Sequence, residues 1–159
     1  MSDNLKAYMD NGAGKPVDPR VLDEMNLYHT EFYGNPASFH SKGFEALTAL
    51  KTARERVSSL INADPKEIIF TSGSTEANNL ALIGGVRRYK KRGTKVVISA
   101  VEHISVINIT KKLTREGFTV QLCPVDEHGV IKLSELEKLV DDDTVMVSIM
   151  TANGEIGTI

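Results

Sequence analysis

The stretch Phe70-Thr71-Ser72-Gly73-Ser74-Thr75-Glu76-Ala77-Asn78-Asn79-Leu80 reads as a buried strand running through a glycine turn into a helix start. The apolar run Ile68-Ile69-Phe70 supplies the strand, and Gly73 can take the positive φ that a sharp exit needs. Ser74 and Thr75 would open the helix, where free backbone N–H groups and the positive end of the helix dipole favour an anion such as phosphate. Their hydroxyls can add hydrogen bonds to phosphate oxygens. The same residues also fit an ordinary strand-to-helix connection with a Ser/Thr cap. Glu76, in the first turn, could complement the dipole itself.

Outward from this junction the pattern alternates. Upstream, Asp10 to Pro19 is a Gly/Pro-rich loop, and Asp18 as cap with Pro19 at the first helical position begins a helix with Val21, Leu22, Met25 and Tyr28 on one face. Gly34-Asn35-Pro36 breaks it, and Ser41 opens a longer amphipathic helix, with Phe44, Leu47, Leu50, Val57, Leu60 and Ile61 inward, ending near Asn62. A strand follows at Glu67 to Ser72, then a helix from Thr75 to about Arg92, a strand Lys95 to Ser99, and a helix from His103 to Glu116 that Gly117 stops. Phe118, Val120 and Leu122 alternate as a half-buried strand, and Asp126 to Gly129 is a turn. Ser134 with Glu137 forms a capping-box pattern before a short helix, and Thr144 to Met150 is the last strand.

Strands separated by helices of this length imply an α/β fold with a mostly parallel sheet and flanking helices. In such sheets ligands sit beyond the carboxyl ends of the strands. That rule selects Ser72 to Thr75, Ala100 to His103 and Thr151 to Glu155.

The 159 residues, 41% of them apolar, suffice for a real core. Lys plus Arg is 19 and Asp plus Glu 21, a formal net charge of -2 that gives no reason to expect attraction to nucleic acid or to an anionic membrane. The basic cluster Arg87, Arg88, Lys90, Lys91 and Arg92 reads as the solvated end of a helix. Met1-Ser2-Asp3-Asn4 lacks a basic segment followed by an apolar one, and no apolar run approaches membrane-spanning length, so a cytoplasmic setting is expected. The Asn108-Ile109-Thr110 sequon is then accidental.

His103 stands at one strand end, either as a cap or surface residue or, opposite a phosphate-binding helix start, as a flat ring able to stack on an aromatic cofactor. Asn153 and Glu155 supply polar groups at the third strand end, where Asn153-Gly154 also reads as a plain turn. Gly12-Ala13-Gly14-Lys15 fails as a P-loop, with Pro16 where Ser or Thr should bind a metal. The single cysteine, Cys123, allows no internal disulfide and reads as a core or strand-end residue rather than a nucleophile. His29, His40 and His128 have no metal-ligand spacing, and no metal is expected.

Several motifs in order carry a resemblance: Asp10-Asn11 with Pro16-Val17-Asp18-Pro19-Arg20, then Gly34-Asn35-Pro36-Ala37-Ser38-Phe39-His40, then Thr71 to Asn79, then Glu102-His103, then Asn153-Gly154-Glu155-Ile156-Gly157-Thr158. Together the chain resembles the cysteine desulfurases of the NifS/IscS type, fold-type-I enzymes dependent on pyridoxal 5′-phosphate in the class V aminotransferase superfamily. The resemblance implies that Ser74 and Thr75 hold the cofactor phosphate, that His103 stacks on the pyridine ring, and that cysteine is converted to alanine while a loop thiolate takes the sulfur as persulfide. It implies iron–sulfur scaffolds or other sulfur acceptors as partners, and a homodimer. It places residues 1–15 in a small domain and 16–159 in the N-terminal part of the cofactor-binding large domain.

Two positions depart from the family pattern. Gly154 replaces the second Asn of Asn-Asn-Glu, which in the family bonds the cofactor's ring oxygen, so that Asn153 could take the role only through a shift of the loop. Gly12-Ala13-Gly14-Lys15 replaces Ala-Ala-Thr-Thr. The family's Schiff-base lysine, its pyridine-pairing aspartate and its loop cysteine all lie downstream of Ile159, so no catalytic residue is assigned here and a C-terminal portion is an expected partner. The alternatives are a selenocysteine lyase or other class V enzyme, and a non-catalytic split subunit. The resemblance also implies an incomplete sheet in which, of the strands near Ile68, Val97, Val120 and Val147, only those near Val97 and Val120 pair directly.

Overall fold

The computed structural model describes residues 7–159. The Met1-Ser2-Asp3-Asn4 start and the first part of the segment 1–15 lie outside the described residues. The chain forms two compact units meeting at the Phe70/Thr71 boundary.

In the first unit Asp18 caps α1 (Pro19–Thr30), accepting from the Arg20 N–H at 2.9 Å, as the Asp-Pro pair predicts. The helix α2 (Ser41–Leu60) is capped by His40, whose Nδ1 accepts from the Gly43 N–H at 3.3 Å. Gly34 and Gly43 permit a close approach between the connecting loop and α2: a Cβ on Gly34 would strike the Lys42 carbonyl, and one on Gly43 the Ser38 carbonyl. The apolar faces differ from expectation. Val21, Leu22, Met25 and Tyr28 on α1, and Phe44, Val57, Leu60 and Ile61 around α2, are exposed, because periodicity marks a face that favours burial without supplying its partner.

The strand expected at Glu67 to Ser72 is absent. Pro65–Glu67 forms a 3-10 turn with a capping box, in which Glu67 Oε2 accepts from the Asp64 N–H at 2.8 Å and Asp64 Oδ1 from the Lys66 N–H at 2.8 Å. Ile68 to Phe70 then runs without a pairing strand among the described residues, tied to α2 by Arg54, which donates to the Ile68 carbonyl and lies 5.4 Å from the Phe70 ring centre.

The second unit is the α/β part. A helical run opens with α3 (Ser74–Asn79), passes through a π-helical turn (Leu80–Gly84) and ends with α4 (Gly85–Arg88). Then follow β1 (Lys95–Ser99), α5 (Ile104–Arg115), β2 (Thr119–Cys123), α6 (Leu133–Leu139) and β3 (Thr144–Ser148). The strands form a parallel sheet in the order β2-β1-β3, with Val97 opposite both Gln121 and Val147. This corrects the expectation that only the strands near Val97 and Val120 pair, since β1 also pairs with β3. The reason lies at the amino ends of these strands. Asp143 accepts from the Thr94 N–H at 2.9 Å and from Thr94 Oγ1 at 3.0 Å, its carbonyl accepts from the Lys95 N–H at 3.0 Å, and Lys95 pairs with Asp141.

Val96 and Ile98 of β1 pack with Leu82, Ile83, Val86, Val106, Ile109, Leu113 and Phe118 into one buried cluster, while alternation sends Val97 and Ser99 to the opposite face. Gly117 ends α5 with φ 88° and Gly129 closes the Asp126 turn with φ 81°, the left-handed backbone expected of glycine. The Ser134/Glu137 capping box does not form: Lys132 occupies the cap, with its N–H on the Pro124 carbonyl, and Ser134 is already inside the helix.

Candidate functional site

Gly73 precedes α3 with φ 164° and ψ 178°, extended backbone open to any residue, so the positive φ expected there is not used. The N–H groups and hydroxyls of Ser74 and Thr75 are exposed and have no hydrogen-bond partner among the described residues. Glu76 is held by Ser72. Its Oε2 accepts from Ser72 Oγ at 2.7 Å and from the Ser72 N–H at 2.6 Å, holding the carboxyl below its ordinary range and committing its charge to a residue two positions before the helix. Four donors thus remain for an anion at Ser74 and Thr75.

His103 caps α5. Its Nδ1 accepts from the Ser105 N–H at 3.1 Å and lies 2.8 Å from Ser105 Oγ, while the ring itself is exposed. The buried Ser105 hydroxyl also receives Asn78 Nδ2 at 2.8 Å. Since Asn78 sits one turn into the run that Ser74 and Thr75 open, the α3 start and the His103 cap are neighbours joined by three side chains.

Asn153 joins the third segment to the second. Its Nδ2 donates to the Val101 carbonyl at 3.0 Å and lies 3.4 Å from the Met150 sulfur, and its Oδ1 accepts from the Glu155 N–H at 2.9 Å and the Ile156 N–H at 3.2 Å. Backbone bonds from Asn153 N–H to the Thr158 carbonyl and from Gly157 N–H to the Asn153 carbonyl close the turn. Both ends of the Asn153 amide are therefore committed, the oxygen to the turn that Asn-Gly suggests and the nitrogen to the second segment. A Cβ on Gly154 would meet nothing within 4 Å.

Cys123 ends β2 fully buried, and burial, with a smaller contribution from the Glu135 carboxylate, pushes its thiol up. Both keep the thiol protonated, and burial keeps it out of solvent. Among the described residues no cluster of His, Cys, Asp or Glu is arranged to hold a metal ion, and no helix is long and apolar enough to cross a membrane. Asn78 and Ser105 escaped the sequence reading. The signal available was a serine two residues after a capping histidine and an asparagine one helical turn after the Ser-Thr pair. Glu102, beside His103, holds a buried Oε1 with no partner among the described residues.

These donors suit pyridoxal 5′-phosphate. A dianionic phosphate needs N–H and O–H donors free of fixed carboxylates, and the α3 start offers them beside a flat, exposed imidazole.

Residues 7–159 match the family model described as aminotransferase class-V. The chain is 48% identical over 152 residues to cysteine desulfurase IscS 1 of Archaeoglobus fulgidus, covering 96% of this chain and 40% of the relative. It is 48% identical over 153 residues to the mitochondrial cysteine desulfurase of Saccharomyces cerevisiae, covering 96% and 31%. A solved structure described as a NifS-like protein superposes with a TM-score of 0.90 at 46% identity, over 94% of this chain and 41% of the other. The chain thus spans less than half the length of these relatives, and over that span it belongs to the class V aminotransferase family.

Proposed function

We propose that the chain is the N-terminal portion of a pyridoxal 5′-phosphate-dependent cysteine desulfurase, which converts cysteine to alanine and passes the sulfur on as a persulfide. The observation that carries the reading is the open set of donors at Ser74 and Thr75, wired through Asn78 and Ser105 to His103. When bound, the cofactor supplies an electron sink for the substrate's bonding electrons. Ser74 and Thr75 hold its phosphate. His103 lies against its ring, and Asn153 serves the site by holding the third strand-end turn against Val101.

The lysine and the thiol that the chemistry needs come from a C-terminal portion, with the working enzyme a homodimer that delivers sulfur to an iron–sulfur scaffold or another acceptor. In the complete fold residues 1–15 belong to the small domain and 16–159 to the large one. A reducing, cytoplasmic setting suits sulfur carried as a persulfide.

The test joins the chain to the C-terminal remainder of the Archaeoglobus fulgidus relative and measures alanine and reducible sulfur formed from cysteine, with selenocysteine as competitor. Equal yields of the two from cysteine are expected. Ser74→Ala with Thr75→Val removes two charge-assisted bonds and should weaken cofactor binding about 100-fold or more. A chimera that binds the cofactor but forms no alanine from cysteine would refute the assignment in favour of another class V activity. Cofactor binding indifferent to the double substitution would refute the site.

A further inference from the structure

We infer that Ser105 and Asn78 are positioning residues that fix His103 in one tautomer, with its proton on Nε2. The direction of each bond follows from the one donor that cannot change its role. The Ser105 backbone N–H, 3.1 Å from His103 Nδ1, can only donate, so Nδ1 presents its lone pair and the neutral ring carries its proton on Nε2. The contact between Ser105 Oγ and the same Nδ1, at 2.8 Å, is then attractive only if the hydroxyl donates. With its proton so placed, Ser105 Oγ is left to accept, which orients the Asn78 amide nitrogen, not its oxygen, toward it at 2.8 Å.

Ser105 itself is buried, so its hydroxyl is left to these protein partners. The result is a one-way relay from the helix that opens at Ser74 to the imidazole, leaving Nε2–H as the ring's remaining donor. Its value to the site rests on the proposed cofactor role, whereas the tautomer itself does not.

His40 provides an internal control. It caps α2 through Nδ1 and the Gly43 N–H at 3.3 Å, with no second donor among the described residues. In nitrogen-15 imidazole spectra of the labelled chain, recorded at a pH where the rings are neutral, His103 should show an Nε2–H to Nδ1–H ratio about fivefold above that of His40, the equivalent of one net hydrogen bond. Ser105→Ala should bring His103 down to the His40 ratio without moving His40, and Ser105→Thr should restore it.

Asn78→Asp is the sharper variant, because a carboxylate accepts the hydroxyl proton and turns it away from Nδ1. It should reproduce the Ser105→Ala loss without removing Ser105, and it keeps the inference testable if Ser105→Ala does not fold. A dominant Nδ1–H form of His103, or a ratio unchanged in Asn78→Asp, would overturn it. Adding pyridoxal 5′-phosphate to the chimera then tests the cofactor role separately. A ring in the expected tautomer whose signals ignore the cofactor counts against that role and leaves the relay standing.

Discussion

Replacing Asn153 by alanine removes one hydrogen bond that fastens the loop after β3 to the segment following β1 and two that close that loop on itself. The Val101 bond is partly buried and worth about 1 kcal/mol net, and the two exposed bonds to Glu155 and Ile156 N–H about 0.5 kcal/mol each, for a loss near 2 kcal/mol. At 1.4 kcal/mol per factor of ten, the turn should open roughly 30-fold more often. Amide hydrogen exchange reads this at two sites, since the N–H groups of residue 153 and Gly157 stay bonded within the turn and exchange only when it opens. Both should lose about 30-fold in protection, while the β1 amides of Val97 and Ile98 hold theirs. Asn153→Asp keeps an acceptor for Glu155 and Ile156 but sets an oxygen against the Val101 carbonyl, so it should fall between wild type and alanine. Unchanged protection in Asn153→Ala, or a loss spread evenly through β1, would refute the view that this side chain fastens the third segment of the site.

The buried thiol of Cys123 should resist a thiol reagent in the native chain and react fully once urea unfolds it; reaction at native rates would contradict its burial at the end of β2. Gly43→Ala should destabilise the first unit by about 1–3 kcal/mol in a denaturant titration through collision with the Ser38 carbonyl, whereas Gly73→Ala, with nothing within 4 Å of the new Cβ, should change stability by less than about 0.5 kcal/mol. Glu116 accepts from Arg87 at 2.6 and 2.9 Å, which holds its carboxyl below the usual range. Because the folded value is depressed, its contribution is present above the unfolded carboxyl value and is lost as pH falls through the folded one. Glu116→Gln should accordingly flatten the acid limb of a stability-pH curve and leave its neutral limb level; an unaltered acid limb would argue against the pairing.

Features set by neighbouring residues were legible in the sequence. Asp18 and Pro19 start α1, Gly117 stops α5 and Asp126 to Gly129 turns the chain, because each acts within a few residues of itself. Features that need a distant partner were not. Ile68 to Phe70 has strand-forming residues but no strand beside it among the described residues, and the apolar faces of α1 and α2 have the right period yet stay largely exposed. The π-helical turn at Leu80–Gly84 interrupts a helix that periodicity reads as continuous. Ser134 does not cap because the Val125–Ile131 bridge and the Lys132 bond to Pro124 place the helix start at Leu133. At the site, Ser74, Thr75 and His103 stood out by residue type and position at element ends. Asn78 and Ser105 did not, since their meeting depends on two helices that only the fold brings together.

Because β1 lies at the centre of the sheet with β2 and β3 on either side, assembly of the second unit has a built-in order. The central strand leaves the ribosome before both of its neighbours, and β2 follows after a single helix. Joining β3 to β1 closes a loop about twice as long as joining β2, a difference of roughly 0.6 kcal/mol in closure entropy. During synthesis β1 and β2 can therefore pair first, with α5 folded across them, and wait with one side of β1 uncovered. Until Asp143 emerges to anchor β3 beside Thr94, that uncovered edge is where a nascent chain would be met by a chaperone or by another copy of itself.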